Sequence, residues 1–153
     1  VAGGVAVFLH GYPRATFDLD LVIIYEGGNI DKFFDVMKKI RYLSKVPVTK
    51  EQFKDPGQRR MWQKEKGMVV FSFYNRKPPF DMIDIFTQEY ISFDEIYRDR
   101  KMVKMQGATI PIISIDHLIR LKKIAGRQKD LDDLVQLKTI RKMEKHAKQK
   151  NKK

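Results

Sequence analysis

The sequence predicts an α+β fold, a mixed sheet flanked by helices with a helical hairpin at the C-terminal end. Three observations predict it. Residues 17–25 (Phe-Asp-Leu-Asp-Leu-Val-Ile-Ile-Tyr) are rich in β-branched and aromatic side chains and read as a strand. Ile30, Phe33, Phe34, Met37 and Ile40 then recur at helical spacing. Further apolar runs near 68–74 and 82–86 precede two helical patterns that close the chain.

Composition bounds the reading. The chain has 153 residues, of which 42% are hydrophobic, including 10 Phe, 6 Tyr and 7 Met. That suffices for one hydrophobic core and excludes disorder throughout. There are no cysteines, which removes disulfides, thiolate metal sites and a cysteine nucleophile. No apolar run approaches the roughly 20 residues of a membrane span, and no signal-peptide pattern opens the sequence. A cytoplasmic protein without a membrane partner is expected. The sequence opens at Val1, inside an apolar stretch, so an upstream portion of the first element is expected.

Taken in order, Gly3-Gly4 suggests a tight turn or the close approach of a ligand. Residues 5–10 form a short helix that Gly11 and Pro13 break. The strand over 17–25 follows, ended by Gly27-Gly28-Asn29, and then the helix over 30–43. Residues 45–67 are polar, interrupted by Pro47, Pro56 and Gly57, and support one short helix at most. The strands at 68–74 and 82–86 read as a hairpin around a turn at Lys77-Pro78-Pro79. One or two short strands are expected over 100–112 around Gly107. Ser114 is a good N-cap, Gly126 stops the helix it starts, and a second helix begins near Lys129. Residues 1–113 are expected to form the main domain, with the helices of 114–153 packed on it.

Charge is uneven. The chain carries 31 basic and 19 acidic residues, a net +12 that favours polyanionic partners. Residues 138–153 hold eight basic side chains and one acidic. Such a block is either a solvated helix end or an electrostatic arm for nucleic acid. It contains no aromatic residues for stacking on bases.

Chemistry centres on acids. Asp18 and Asp20 lie two apart on a strand, so their carboxylates point the same way. Close carboxylates repel unless a cation sits between them, and magnesium takes oxygen ligands. Asp84, within Ile83-Asp84-Ile85-Phe86, is a third acid in an apolar strand and needs a reason to be there. If the two strands are neighbours, three carboxylates converge on a metal site. Taken singly, each acid has a plainer explanation. Charge on an edge strand blocks aggregation, and a buried Asp84 can pair with Lys or Arg. Asp130-x-Asp132 shows that D-x-D is a cheap pattern. His10 is read as a helix-end packing residue. Lys122 fits either a phosphate contact or a snorkelling lysine. Arg127 fits a phosphate contact or a complement to the helix dipole. The acids at 130, 132 and 133 start a helix, where the dipole alone favours them.

The combination is more specific than its parts. A Gly-Gly turn, a short helix, D-x-D on a strand and a later acidic strand residue together resemble the nucleotidyltransferase superfamily related to polymerase beta. Gly3-Gly4-Val5-Ala6, His10-Gly11, Arg14-Ala15-Thr16-x-Asp18-x-Asp20-Leu21, and Leu118-Ile119-x-x-Lys122 with Ala125-Gly126-Arg127-x-Lys129-Asp130 resemble the minimal AbiEii-type toxin nucleotidyltransferases. The resemblance implies a nucleotidyltransferase-like sheet and catalysis and metal binding at Asp18, Asp20 and Asp84. It implies Mg2+ or Mn2+ as the metal, and substrate binding by Gly3, Gly4, Arg14, Thr16, Lys122 and Arg127. The expected reaction moves a nucleoside monophosphate from a nucleoside triphosphate to a hydroxyl of RNA, tRNA included, a protein or a small molecule. The other function class is a non-catalytic nucleotide- or RNA-binding component of a toxin–antitoxin system.

Overall fold

The computed structural model describes residues 1–75 and 82–150. Two compact units emerge, one of residues 16–93 and one of residues 1–15 with 94–153. The chain divides near residues 15 and 93. Among the described residues, no helix is long and apolar enough to cross a membrane.

The unit of residues 16–93 is built on a four-stranded sheet in the order β1-β4-β3-β2. Its strands are β1 (Asp18–Leu21), β2 (Leu43–Ser44), β3 (Val70–Tyr74) and β4 (Met82–Phe86). β1 runs parallel to β4, and the other pairs are antiparallel. The sheet is therefore mixed, as expected. Strand β1 is shorter than the apolar run that encodes it, and its ladder pairs Asp18–Leu21 with Met82–Ile85 of β4. Beyond that point Ile23 still enters the core, and the Tyr25 hydroxyl donates to the Phe86 carbonyl at 2.5 Å.

Alternation along the strands gives the sheet two faces. Ile83 and Ile85, Phe71 and Phe73, and Leu19 and Leu21 turn to one face. There they join Ile30, Met37, Phe53 and Trp62 in a single apolar core. Those last four come from α2 (Gly27–Lys39), α3 (Lys50–Lys54) and α4 (Pro56–Lys66). Gly27, Gly28 and Asn29 begin α2 instead of merely ending the strand before it, and Asn29 Nδ2 ties its first turn to the Ile24 carbonyl at 3.0 Å. Residues 45–67 hold two helices where one was expected. Thr49 and Gln52 form a reciprocal capping box at α3. Asp55 caps α4 with Pro56 in its first turn, and Gly67 ends it in the left-handed conformation at φ 60°. Buried Arg59 joins the two helices by donating to the carbonyls of Phe53 and Lys54. The hairpin of β3 and β4 forms as expected, and its turn at Lys77-Pro78-Pro79 lies outside the described residues.

The second unit begins with α1 (Gly3–Leu9). The expected turn is the start of this helix itself, where Gly3 takes φ 59°. A short α5 (Phe93–Arg98), not expected from the sequence, precedes the hairpin of β5 (Lys101–Met105) and β6 (Ala108–Ile112). Gln106 at φ 48° and Gly107 at φ 80° give the paired positive angles of a type I′ turn. The Ser114 hydroxyl caps α6 (Ile115–Ala125) by accepting from the His117 amide, and Gly126 closes it at φ 61°. The hairpin is completed by α7 (Gln128–Lys150), which buries Leu134 and Leu137.

Candidate functional site

The register of the parallel pair decides where the acids go. Asp18 sits opposite Met82, and Asp20 opposite Asp84. Partners at one register position share a face, so Asp20 and Asp84 stand side by side. Asp18, two residues from Asp20, joins them. All three project from the face opposite the apolar core, and Ser72 of β3 continues the row beside Asp84. Asp84 is 9% exposed, while Asp18 and Asp20 are half-buried on the edge strand. The Thr16 hydroxyl donates to the Asp18 carbonyl at 3.4 Å, which places it beside the start of the row.

Among the described residues, no three His, Asp or Glu side chains are gathered closely enough to cage an ion. The acid row supplies the hard oxygen donors that magnesium and manganese take, and its register brings them to one face.

The candidate phosphate-binding cations lie in the other unit, and there a buried ion cluster organises them. Lys122, only 5% exposed, reaches Asp130 at 2.7 Å and Asp133 at 2.8 Å. Arg127 Nε reaches Asp130 at 2.7 Å, and Arg14 Nε reaches Asp133 at 3.3 Å. Burial by itself would raise the Asp130 carboxyl. Hydrogen bonds and charge from Arg127 and Lys122 outweigh it and hold Asp130 below the ordinary carboxylate value. The sequence reading gave Asp130 and Asp133 only a helix-dipole role. They are instead the buried counter-ions of three cations, and Lys122 is no snorkelling lysine. A signal was available, since residues three apart near a helix start share a face.

Gly3 and Gly4 open α1 in this same unit, and Gly4 is buried. His10 plays its expected packing role at the end of α1, with Nε2 2.9 Å from the Ile113 carbonyl. The structure therefore gathers the expected residues into two groups. Asp18, Asp20, Asp84 and Thr16 belong to one unit, and Gly3, Gly4, Arg14, Lys122 and Arg127 to the other.

Comparison with known proteins adds the fold. An antigenic nucleotidyltransferase-like protein from Paracoccidioides brasiliensis superposes with a TM-score of 0.55 over 89% of this chain, at 18% identity. The fold is nucleotidyltransferase-like. The match spans 65% of that protein's length. No protein-family model matches the sequence, and no curated protein matches it.

Proposed function

We propose that this chain is a metal-dependent nucleotidyltransferase that moves a nucleoside monophosphate from a nucleoside triphosphate to a hydroxyl. The observation that carries the reading is the parallel register that sets Asp20 beside Asp84, with Asp18 on the same face. The nucleotidyltransferase-like fold supports it. Asp18, Asp20 and Asp84 would hold Mg2+ or Mn2+, which when bound supplies positive charge to the phosphates and acidifies the attacking hydroxyl. Asp84 would take the proton of that hydroxyl. The hydroxyl oxygen then bonds to the α-phosphorus, the bond from that phosphorus to the bridging oxygen breaks, and pyrophosphate leaves. The amides at Gly3-Gly4, with Arg14, Thr16, Lys122 and Arg127, are assigned to the triphosphate. The acceptor is assigned to RNA, a partner protein or a small molecule, and the chain to a minimal transferase of the AbiEii type acting in the cytoplasm.

The net charge of +12 favours a second reading, a non-catalytic nucleotide- or RNA-binding component of a toxin–antitoxin system. Incubation with α-labelled nucleoside triphosphates, magnesium and total RNA separates the two. The enzyme reading expects a labelled acceptor. Asp84→Asn should reduce labelling by about 10²–10⁴-fold, the usual worth of general-base catalysis. Nucleotide affinity should change far less. Wild-type labelling by Asp84→Asn removes this residue from the mechanism, and binding without any transfer favours the second reading.

A further inference from the structure

A cavity of about 590 Å³ lies wholly within the unit of residues 1–15 and 94–153. It contains none of the residues assigned to the nucleotide. His10 from the end of α1, Arg100 before β5, the start of α6 and the outer half of α7 line it. We propose that this cavity is a second ligand site, which binds a phosphate group as inorganic phosphate or a phosphomonoester.

Charge accounting points to an anion. The three acids of the wall are each matched to a cation. Glu144 meets Lys101 at 3.3 Å, Asp116 meets Arg141 at 2.5 Å, and Asp99 meets Arg98 at 3.0 Å. Arg100 and Lys145 remain in excess. Arg100 donates to the Tyr97 carbonyl at 2.5 Å and stacks on the Tyr97 ring at 3.9 Å, both neutral partners. The N-terminus of the eleven-residue α6 adds partial positive charge and first-turn amides.

Two buried nitrogens make the need for a ligand specific. His10 is 6% exposed and uses Nε2 on the Ile113 carbonyl, leaving Nδ1 buried without a hydrogen-bond partner among the described residues. The Nε atom of Arg100 is in the same condition. Buried polar atoms of this kind are rare and costly. A phosphate offers at least three oxygens to separate donors, where a carboxylate offers two. Its second ionisation near pH 6 also lies close to that of histidine, so the pair can share one proton across Nδ1. Burial lowers the His10 pKa, against the hydrogen bond to Ile113, with nearby Lys101 lowering it and Glu144 raising it. An anion at Nδ1 reverses that balance. The charged groups around the imidazole are Asp99, Arg100 and Lys101 before and in β5, Asp116 on α6, and Arg141, Glu144 and Lys145 on α7.

Titration of the full chain with inorganic phosphate at fixed ionic strength, followed on the ring signals of its three histidines by NMR, tests the site. His10→Asn assigns the His10 signal by its loss. A saturable shift of the His10 signal is expected, tighter at pH 6.5 than at pH 8 because binding takes up a proton. Arg100→Gln with Lys145→Gln removes the two unmatched cations of the cavity wall, both outside the nucleotide machinery, and should weaken binding at least tenfold. A parallel titration with adenosine 5′-monophosphate identifies the source. Tighter binding than phosphate marks a phosphomonoester site, and weaker binding marks a free-ion site. A shift that never saturates, or equal affinity in the double variant, overturns the proposal.

Discussion

Lys122 shows what a buried ammonium requires. It is screened from water and touches two carboxylates that are themselves 0% and 2% exposed. Arg14 and Arg127 complete the cluster from its rim. Taking one partner from such a group strands a charge in low dielectric, which costs more than the intact pair contributes. Asp130→Asn should therefore destabilise the protein by about 3 kcal/mol or more at pH 7, read by urea unfolding. The pH dependence has a definite sign. The folded Asp130 carboxyl lies below its ordinary value, so its contribution is present in full above about pH 4 and is lost as pH falls through the folded value. The gap between wild type and variant should shrink at pH 3. A constant gap would mean that packing, and not the charge at Asp130, is what the substitution removes.

At the scale of elements, capping chemistry accounts for boundaries that periodicity leaves vague. Ser114 and Gly126 bracket α6 as the sequence suggests, because an N-cap and a left-handed stop flank a clear apolar stripe. The same kind of signal stands at Thr49, Gln52, Asp55, Pro56 and Gly67, but the intervening segment is polar and lacks a continuous stripe, so periodicity alone does not show α3 and α4. Thr49→Ala should cost about 1 kcal/mol, the usual worth of an N-cap, with α3 losing amide protection in hydrogen exchange before α4 does. Equal protection in wild type and variant would show that burial of Phe53 alone holds the helix. The acids divide the same way. That Asp18 and Asp20 share a face follows from strand period, and so was legible. That Asp84 stands beside Asp20 depends on a parallel pairing between segments far apart in sequence, which no local pattern encodes. The counter-ions of Lys122 escaped for a related reason, since they lie across a helical hairpin and a dipole argument already explained acids at a helix start.

At the scale of the whole molecule, the net charge is +12, while residues 1–40 carry four basic and five acidic side chains. The excess is concentrated at the far end. Helix α7 buries Leu134 and Leu137, then continues to Lys150 with Lys138, Lys142 and Lys145 exposed at spacings of four and three. That spacing sets the three ammonium groups along one helix face. Surface ion pairs of this region, such as Lys101 with Glu144, neutralise only part of the charge. A cationic face without aromatic side chains reads backbone phosphates and not bases. Truncation after Leu137 keeps the buried leucines and removes the face. Each phosphate contact contributes about −0.7 to the log–log salt slope on single strands, so losing the three-lysine face predicts a slope shallower by about 2, and the seven net positive charges removed with residues 138–153 set an upper bound of about 5. Filter binding of a tRNA and an unrelated RNA at several salt concentrations, for full-length and truncated chains, measures it. The two RNAs should lose affinity alike, because charge carries no sequence information. An unchanged slope would reduce the outer half of α7 to a solvated helix end, and loss confined to the tRNA would mean that the helix recognises shape.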